Sequence, residues 1–503
     1  MQPVLTAEQM RAMDAQTISD LGIPGVVLME TAGRAVAHAA LRILGQRSHA
    51  EPQVVVLCGV GNNAGDGFVA ARVLKECGIA CEVFLVLGKT GIRGDAATFL
   101  DAYRLCDGTI APLSKLDQAL ANATLIVDAI FGTGLCREVD GELATLFSRI
   151  NDASVSVLAI DIPSGLRADD GAVLGACIDA QVTVVMAAAK IGNVTAPGFA
   201  HCGRTSVAEI GIPSSRTAAV ARVFLIELSD VHAAMPGVQL NGHKGQRGHA
   251  LIVAGSPGKQ GAGRLAALAA LRAGAGLVTL VGPSQDGGAA DPIMTQRVAT
   301  PSELDEALVG KAALLLGPGM DAGPTGAALV RHALAKSDLP IVLDAGALTH
   351  LASDLRFAFA AKGPLVLTPH PGEAGRLLGI ATAAVQADRI AAIRQLARDT
   401  GALVILKGAR TCICDGRAHV DLGVLTVRVS DVGGPELATA GTGDVLAGMV
   451  TALLAQGLDI ADAAMVAVHW HGVAGGLAQQ QLGGPGCVVS DVIAAIPKAR
   501  ERR

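Results

Sequence analysis

Aspartates stand beside glycine turns at several points of this chain, and that pairing is what proton and phosphoryl transfer require. In the run GGPELATAGTGDVLAG, Gly433 to Gly448, a glycine turn leads into an apolar, alanine-rich helix with Asp444 at its start. Gly441 and Gly443 can turn their amides toward one oxyanion, while Val445, Leu446, Met449 and Val450 supply the face that anchors the helix. A carboxylate there would face an incoming phosphoryl group and could take a proton from a hydroxyl nucleophile. Helix capping by Asp444 is the competing structural role.

A second group of candidates lies in the first half. The loop GVGNNAGDG, Gly59 to Gly67, follows a strand-like run and opens a helix, so its amides can meet an anion. Asp128 in VDAIFGTG and Asp161 in AIDIPSG each end a strand. Parallel sheets bind ligands beyond the carboxyl ends of their strands, so Asp128, Asp161 and the Asn62, Asn63 and Asp66 loop can converge on one pocket. Their oxygens suit a hard cation better than zinc. Gly59, Gly61 and Ala64 give a degenerate dinucleotide fingerprint, but the next strand ends in Leu85, Val86, Leu87 and Gly88 without the ribose-binding carboxylate, which argues against ordinary redox dinucleotide binding. Lys190 reads equally as a pocket charge or a solvated loop. In the second half, Gly261 and Ala262 precede a helix, Gly317 and Gly319 end a strand, His370 sits in the polar turn PHPGE, and Lys407 with Gly408 ends another strand. His243 and Lys244 in HKGQRGH offer a lid or a phosphate contact.

The elements that position these residues alternate. From Val54 the runs VVVLCG, CEVFLVLG, LIVDAIFG, VSVLAIDIPSG and VTVVMAAAK are separated by helical segments, as in a mostly parallel sheet covered on both faces. Prolines and serines between Ile212 and Leu240 break the pattern. A second series follows: HALIVAGS, GLVTLVGP, AALLLGPGM, LPIVLDAGAL, GPLVLTPHPGE and GALVILKG, then the antiparallel-looking CICDGRAHV and VLTVRVS, then two long helices. With 503 residues the chain exceeds one ordinary core. Domains are expected at 1–215 and 241–503 with a boundary segment at 216–240. Apolar residues make up 51% and aromatics only 2%, so the cores must be built from Val, Leu, Ile and Ala. No charge-free apolar span long enough for a membrane helix is evident, and the start MQPVLTAEQMRAMDAQ is unlike a signal or transit peptide. A net charge of -5 with no basic tract or aromatic platform argues against a nucleic-acid partner. Ten dispersed cysteines, with Cys412 and Cys414 lacking further ligands nearby, read as reduced thiols of a cytoplasmic protein.

GNNAGDG, DAIFGTG and DIPSG in this order, then HKGQRGH, LDAGAL, TPHPGE, KGART and ATAGTGDVLAG, resemble the bifunctional nicotinamide nucleotide hydrate repair enzymes over nearly the whole chain. The resemblance implies an α/β chain with an N-terminal Rossmann-like three-layer epimerase domain and a C-terminal ribokinase-like, ADP-dependent dehydratase domain. It implies that Asn62, Asn63, Ala64, Gly65 and Asp66 and the stretch Gly132, Thr133, Gly134, Leu135, Cys136, Arg137 and Glu138 surround the hydrated NADH or NADPH, with Asp161 as the acid-base group. Potassium would be held by Asn63, Asp128 and Ser164. In the second domain Ala262, Gly319 and His370 would contact the hydrate. Lys407, Gly408, Ala409, Arg410, Thr411 and Gly443 would hold the adenine nucleotide with its magnesium, and Asp444 would be the base. A homo-oligomer is the expected assembly. The chain has Ile191 and Gly434 where the family often has Pro and Asn. A vitamin-precursor kinase of ribokinase type and a non-catalytic nucleotide sensor are the alternatives.

Overall fold

In the computed structural model, residues 1–46, 51–237, 243–283, 292–417, 423–483 and 486–500 are described. The chain divides into two compact units, Gln2–Val223 and Phe224–Arg503, the latter joined by Met1. The expected boundary segment is no bare connector. It carries most of the helix Ser214–Val220, the strand Val223–Leu225 and the helix Leu228–Ala234. Ile226 and Val231 join the core of the second unit, so burial overrides the proline breaks that suggested a linker. Residues 238–242, where the second domain is expected to begin, lie outside the described residues.

The first unit is built on six parallel strands ordered Ala80–Leu85, Gln53–Cys58, Leu125–Ala129, Ser156–Ile160, Val182–Met186 and Arg204–Ala208. Alternate residues feed two cores. Val54, Val56 and Cys58 pack with the helices Gly25–Gly45 and Asn62–Glu76. Val55 and Leu57 pack with Leu116, Ala119, Leu146 and Phe147 on the opposite face. This is the three-layer arrangement expected, and double-sided burial explains why its central strands read as continuous apolar runs. Strand order reverses between Gln53–Cys58 and Leu125–Ala129, so the loops leaving those two strands splay apart and open a crevice.

The second unit repeats the device. Seven parallel strands run in the order Met294–Arg297, Leu277–Gly282, His249–Val253, Ala313–Leu316, Ile341–Leu343, Leu365–Leu367 and Leu403–Leu406. Cys412–Asp415 and Val427–Val429 then add antiparallel, as expected for the last two runs; Ala418 to Val420 of the former run lie outside the described residues. The reversal falls between His249–Val253 and Ala313–Leu316. The chain closes with three helices rather than two: Thr442–Ala455, Ile460–Leu482 and Val489–Ala499. Met449, Val450, Trp470 and Ile496 from these helices share one buried cluster with Ala266 and Ala270 of the helix Gln260–Arg272.

Two edge strands, Arg204–Ala208 and Met294–Arg297, and the short parallel pair Gln2–Leu5 with Ala189–Lys190 escaped the sequence pattern. Edge strands are solvated along one side and need no unbroken apolar run. No helix among the described residues is long and apolar enough to cross a membrane.

Candidate active sites

At the strand reversal of the first unit lies a cavity of about 530 Å³. Asn62, Asn63 and Asp66 reach it from the start of the Asn62–Glu76 helix. Gly132, Thr133, Gly134, Leu135, Cys136 and Arg137 reach it from the loop after Leu125–Ala129, and Asp161 from the end of Ser156–Ile160. Ala64, Gly65 and Glu138 are adjacent in sequence but absent from its lining: Ala64 is buried in the core and Gly65 packs on Met29.

Asp161 is held in a left-handed backbone conformation, φ 66°, which an aspartate adopts at a cost and which aims its side chain. Its Oδ1 accepts from the Met186 amide at 2.9 Å and from the Lys190 ammonium, which also donates to the Met186 carbonyl at 3.0 Å. Lys190 is completely buried, which settles its two readings in favour of a pocket charge. The pairing of Leu5 with Lys190 fixes the strand that carries it, and Ile191 opens the short helix that follows. Burial, reinforced by the carboxylates of Asp161 and Asp14 and opposed by the Lys190 ammonium, pushes Asp66 well above the usual carboxylate range.

Asn63, Asp128 and Ser164 lie in one hydrogen-bonded group with Phe131. Asp128 Oδ1 accepts from the Ser164 hydroxyl at 2.6 Å and its Oδ2 from the Ser164 amide at 2.8 Å. Asn63 donates to the Phe131 carbonyl at 3.0 Å, and the Phe131 amide donates to Ser164 Oγ at 2.8 Å. Burial pushes Asp128 up to about 6 although these neutral donors oppose it. A fully buried carboxylate with no ion pair to a described residue, beside the Ser164 hydroxyl and the Phe131 carbonyl that it adjoins, offers oxygen donors of the kind a hard cation takes.

In the second unit, Gly319 and His370 line one cavity of about 430 Å³ with Lys259, Glu373 and Arg376. Ala262 adjoins it, since a Cβ on Gly319 would meet that of Ala262 at 3.2 Å. His370 also shapes the local backbone, because its Nδ1 accepts the Gly372 amide at 3.0 Å and caps the helix Pro371–Leu378. Lys407 pairs with Asp344 at 2.7 Å and lies 3.9 Å from Glu373. Burial would lower its pKa, but Asp344, Glu373 and Asp444 together raise it.

Asp444 is not a cap. Gly441, φ 92°, occupies the N-cap of Thr442–Ala455, and Asp444 makes no hydrogen bond or ion pair with a described residue. Burial pushes it up to about 7, with Asp344 and Glu373 adding to the shift and Lys407 opposing it. Beside it, the amides of Gly443 and Asp444 itself have no acceptor among the described residues, and Gly443 abuts the Lys407 ammonium, which a Cβ there would meet at 3.1 Å. Orphan amides at a helix start next to a cation form an anion site, and a free carboxylate poised near neutrality is a base. Gly408, Arg410 and Thr411 form the turn behind Lys407: the Thr411 hydroxyl donates to the Gly408 carbonyl at 3.0 Å, and Arg410 takes φ 58°. Ala409 lies between them. The Arg389 guanidinium, buried and unnoticed in the sequence, donates to the Leu406 and Lys407 carbonyls at 3.1 and 3.2 Å and ties that turn down.

Asp14, Asp344 and Glu373 also escaped the sequence reading as site groups. Glu373 stands within the TPHPGE string and Asp344 within LDAGAL, where Ala345 at φ 46° follows it. Only Asp14 stands outside any motif. His243 and Lys244 begin a short 3-10 turn and line neither cavity.

Residues 250–498 match the family model described as NAD(P)H-hydrate dehydratase, and residues 25–192 that described as YjeF-related protein N-terminus. The chain is 40% identical to the bifunctional NAD(P)H-hydrate repair enzyme of Moorella thermoacetica, over 98% of this chain and 96% of that protein. It is 35% identical to the enzyme of the same name from Coxiella burnetii, over 96% of each. It is 36% identical to that of Salinibacter ruber, over 100% of this chain and 96% of that protein.

Proposed function

The chain belongs to the bifunctional NAD(P)H-hydrate repair enzymes, and from that premise we propose how its two sites divide the repair. Water added across the nicotinamide 5,6 double bond gives a hydrate with R and S forms at C6. The first unit is the epimerase and the second the dehydratase, with functional limits near 1–215 and 241–503. In the second, Asp444 removes the C6 hydroxyl proton, and the oxygen attacks the terminal phosphorus of ADP with AMP as leaving group. The phosphate then departs with the C6–O electron pair and a C5 proton is lost, restoring the double bond. The amides of Gly443 and Asp444, with Lys407, bind the transferred group's charge. Lys407 to Thr411 form the adenine-nucleotide side of the site, and Ala262, Gly319 and His370 the hydrate side. Magnesium enters with the nucleotide phosphates.

In the first unit, Asp161 exchanges the proton at the C6 oxygen, with Lys190 and the Met186 amide orienting it. The loops at Asn62 to Asp66 and Gly132 to Glu138 enclose the nucleotide. Potassium, held by Asn63, Asp128 and Ser164, would supply a positive charge that neutralises Asp128. A homo-oligomer in the cytoplasm, where nicotinamide nucleotides are used, completes the proposal.

The observation that carries the dehydratase reading is the Asp444 carboxylate, without a hydrogen bond or ion pair among the described residues, pushed up to about 7 beside amides that have no acceptor among them. Purified protein with ADP, magnesium and the S hydrate is expected to yield reduced nucleotide, AMP and phosphate in equal amounts. Phosphorylation of another alcohol to a stable product, with no reduced nucleotide formed, would replace this reading by a vitamin-precursor kinase.

A further inference from the structure

The helix Ala7–Leu21 presents a stripe to the first unit's cavity: Met10, Asp14 and Ile18, spaced four apart, all line it. The middle member is the exception in type. Asp14 is flanked on its face by two apolar residues, yet it forms no hydrogen bond or ion pair with any described residue. Other aspartates on or against this helix show what a structural aspartate does here: Asp169 accepts the Ala7 amide at 2.7 Å and Asp20 pairs with Arg216 at 3.4 Å. A carboxylate that costs free energy to half-bury and is hydrogen-bonded to no described residue is held for the cavity's contents.

The chemistry of inversion at C6 has an opening for such a group. Asp161 is fixed on the strand-end wall by Met186 and Lys190, so it addresses the substrate from one direction. Inverting C6 requires the oxygen to leave one face and return to the other. We propose that Asp14 is the second proton carrier of the epimerase, serving the C6 oxygen on the ring face that Asp161 does not reach. One carboxylic acid gives its proton to the C6 hydroxyl as the C6–O bond breaks, the electron pair leaving on water while the ring nitrogen lone pair forms the N1=C6 bond. Water then adds to the opposite face, its oxygen pair forming the new C6–O bond, the nitrogen recovering its pair, and the surplus proton passing to the other carboxylate. One turnover moves a proton between the two aspartates, and the reverse turnover or exchange with solvent resets them.

The electrostatics of the cavity suit this exchange. Burial pushes Asp14 up to about 6, the Lys190 ammonium drawing it down and the Asp161 carboxylate raising it. Asp66 also faces it, as do Arg11 and Asp95 at the cavity wall. A group ionising near 6 can be acid or base at neutral pH with little penalty either way.

The inference rests on Asp161 being the first carrier, and the full chain tests the two claims separately. R-hydrate turnover with excess ADP reports epimerisation because the S form is removed as it appears. S-hydrate turnover in the same preparation reports the untouched dehydratase. Asp14→Asn is expected to lower kcat for the R form by roughly 100-fold with KM nearly unchanged, which also shows an intact pocket. Asp14→Glu should recover a measurable part, and the inflection near pH 6 in the wild-type R-form profile should disappear in Asp14→Asn. Wild-type kcat in Asp14→Asn, or an effect on KM alone, overturns the proposal. Loss in Asp14→Asn with normal epimerisation in Asp161→Asn would keep Asp14 and remove Asp161 from its role. Loss in Asp161→Asn with normal Asp14→Asn would leave a one-carboxylate epimerase.

Discussion

At the residue scale, each site uses burial to bring a carboxylate's ionisation toward neutral pH. Asp444 must be ionised to accept a proton, and its value of about 7 places that requirement inside the working range. The kcat/KM for S-hydrate dehydration is therefore expected to rise with pH through about 7 and to level off above it, a limb that reports the free enzyme's base. Asp444→Asn should keep adenine-nucleotide affinity in a calorimetric titration while turnover falls roughly 100-fold or more, since shape is retained and basicity is lost. Near-normal turnover would reduce Asp444 to a passive member of the turn. Asp66 makes the opposite statement about stability. Its folded pKa lies above the ordinary 3.8, so its contribution is most favourable below that value and is lost as pH rises through the raised one. Asp66→Asn removes this dependence, so its melting temperature should exceed that of wild type by a margin that widens from acid to alkaline pH. A constant margin would mean that Asp66 is ionised throughout.

At the element scale, glycines decide where strand ends can approach one another. Gly317 ends the strand Ala313–Leu316 with φ 127°, and a Cβ there would sit 1.7 Å from the Asp344 carbonyl. Both the conformation and the contact exclude a side chain, so Gly317→Ala must shift the turn that carries Asp344 and, through it, Lys407. A loss of about 3 kcal/mol is expected. The single tryptophan, Trp470, is buried in this unit and its fluorescence follows the relevant unfolding transition. An unchanged denaturant midpoint would show that the turn can relax without cost. The same scale explains what sequence could convey. Central strands buried on both faces read as apolar runs, and glycine turns at their ends marked Asp128, Asp161 and Asp444 directly. Lys190 stayed ambiguous because the two-residue strand that positions it pairs with Gln2–Leu5, far away in sequence. Asp14 carried no signal at all: one aspartate on an otherwise amphipathic helix is what a solvated face provides, and only the fold turns Met10, Asp14 and Ile18 toward a cavity. Arg389 lay hidden for a similar reason, since its carbonyl partners on the Leu406–Lys407 turn belong to a different element.

At the scale of the whole molecule, the chemistry of the hydrate gives a reason to join two domains in one chain. A dehydratase that takes only the S form leaves the R form behind, and the epimerase converts that remainder. Each unit has its own strand reversal and its own carboxylate, Asp161 in one and Asp444 in the other. Neither reaction should need the other's carboxylate, and substitutions with no shared partners act independently. Asp161→Ala is thus expected to leave repair of pure S hydrate nearly intact. An equilibrated mixture of epimers should then show a fast phase whose amplitude equals its S fraction, followed by a tail at the rate of unassisted epimerisation. Wild type should lack the tail, and adding the Asp444→Asn variant, which retains a working epimerase, should abolish it by supplying epimerisation in trans. Consumption of the whole mixture in one fast phase by Asp161→Ala alone would mean that Asp161 is dispensable or that the dehydratase accepts both epimers. The same variant given pure R hydrate without ADP, with epimer composition followed by chromatography, separates those two outcomes: S hydrate forms faster than the unassisted rate only if the epimerase still works.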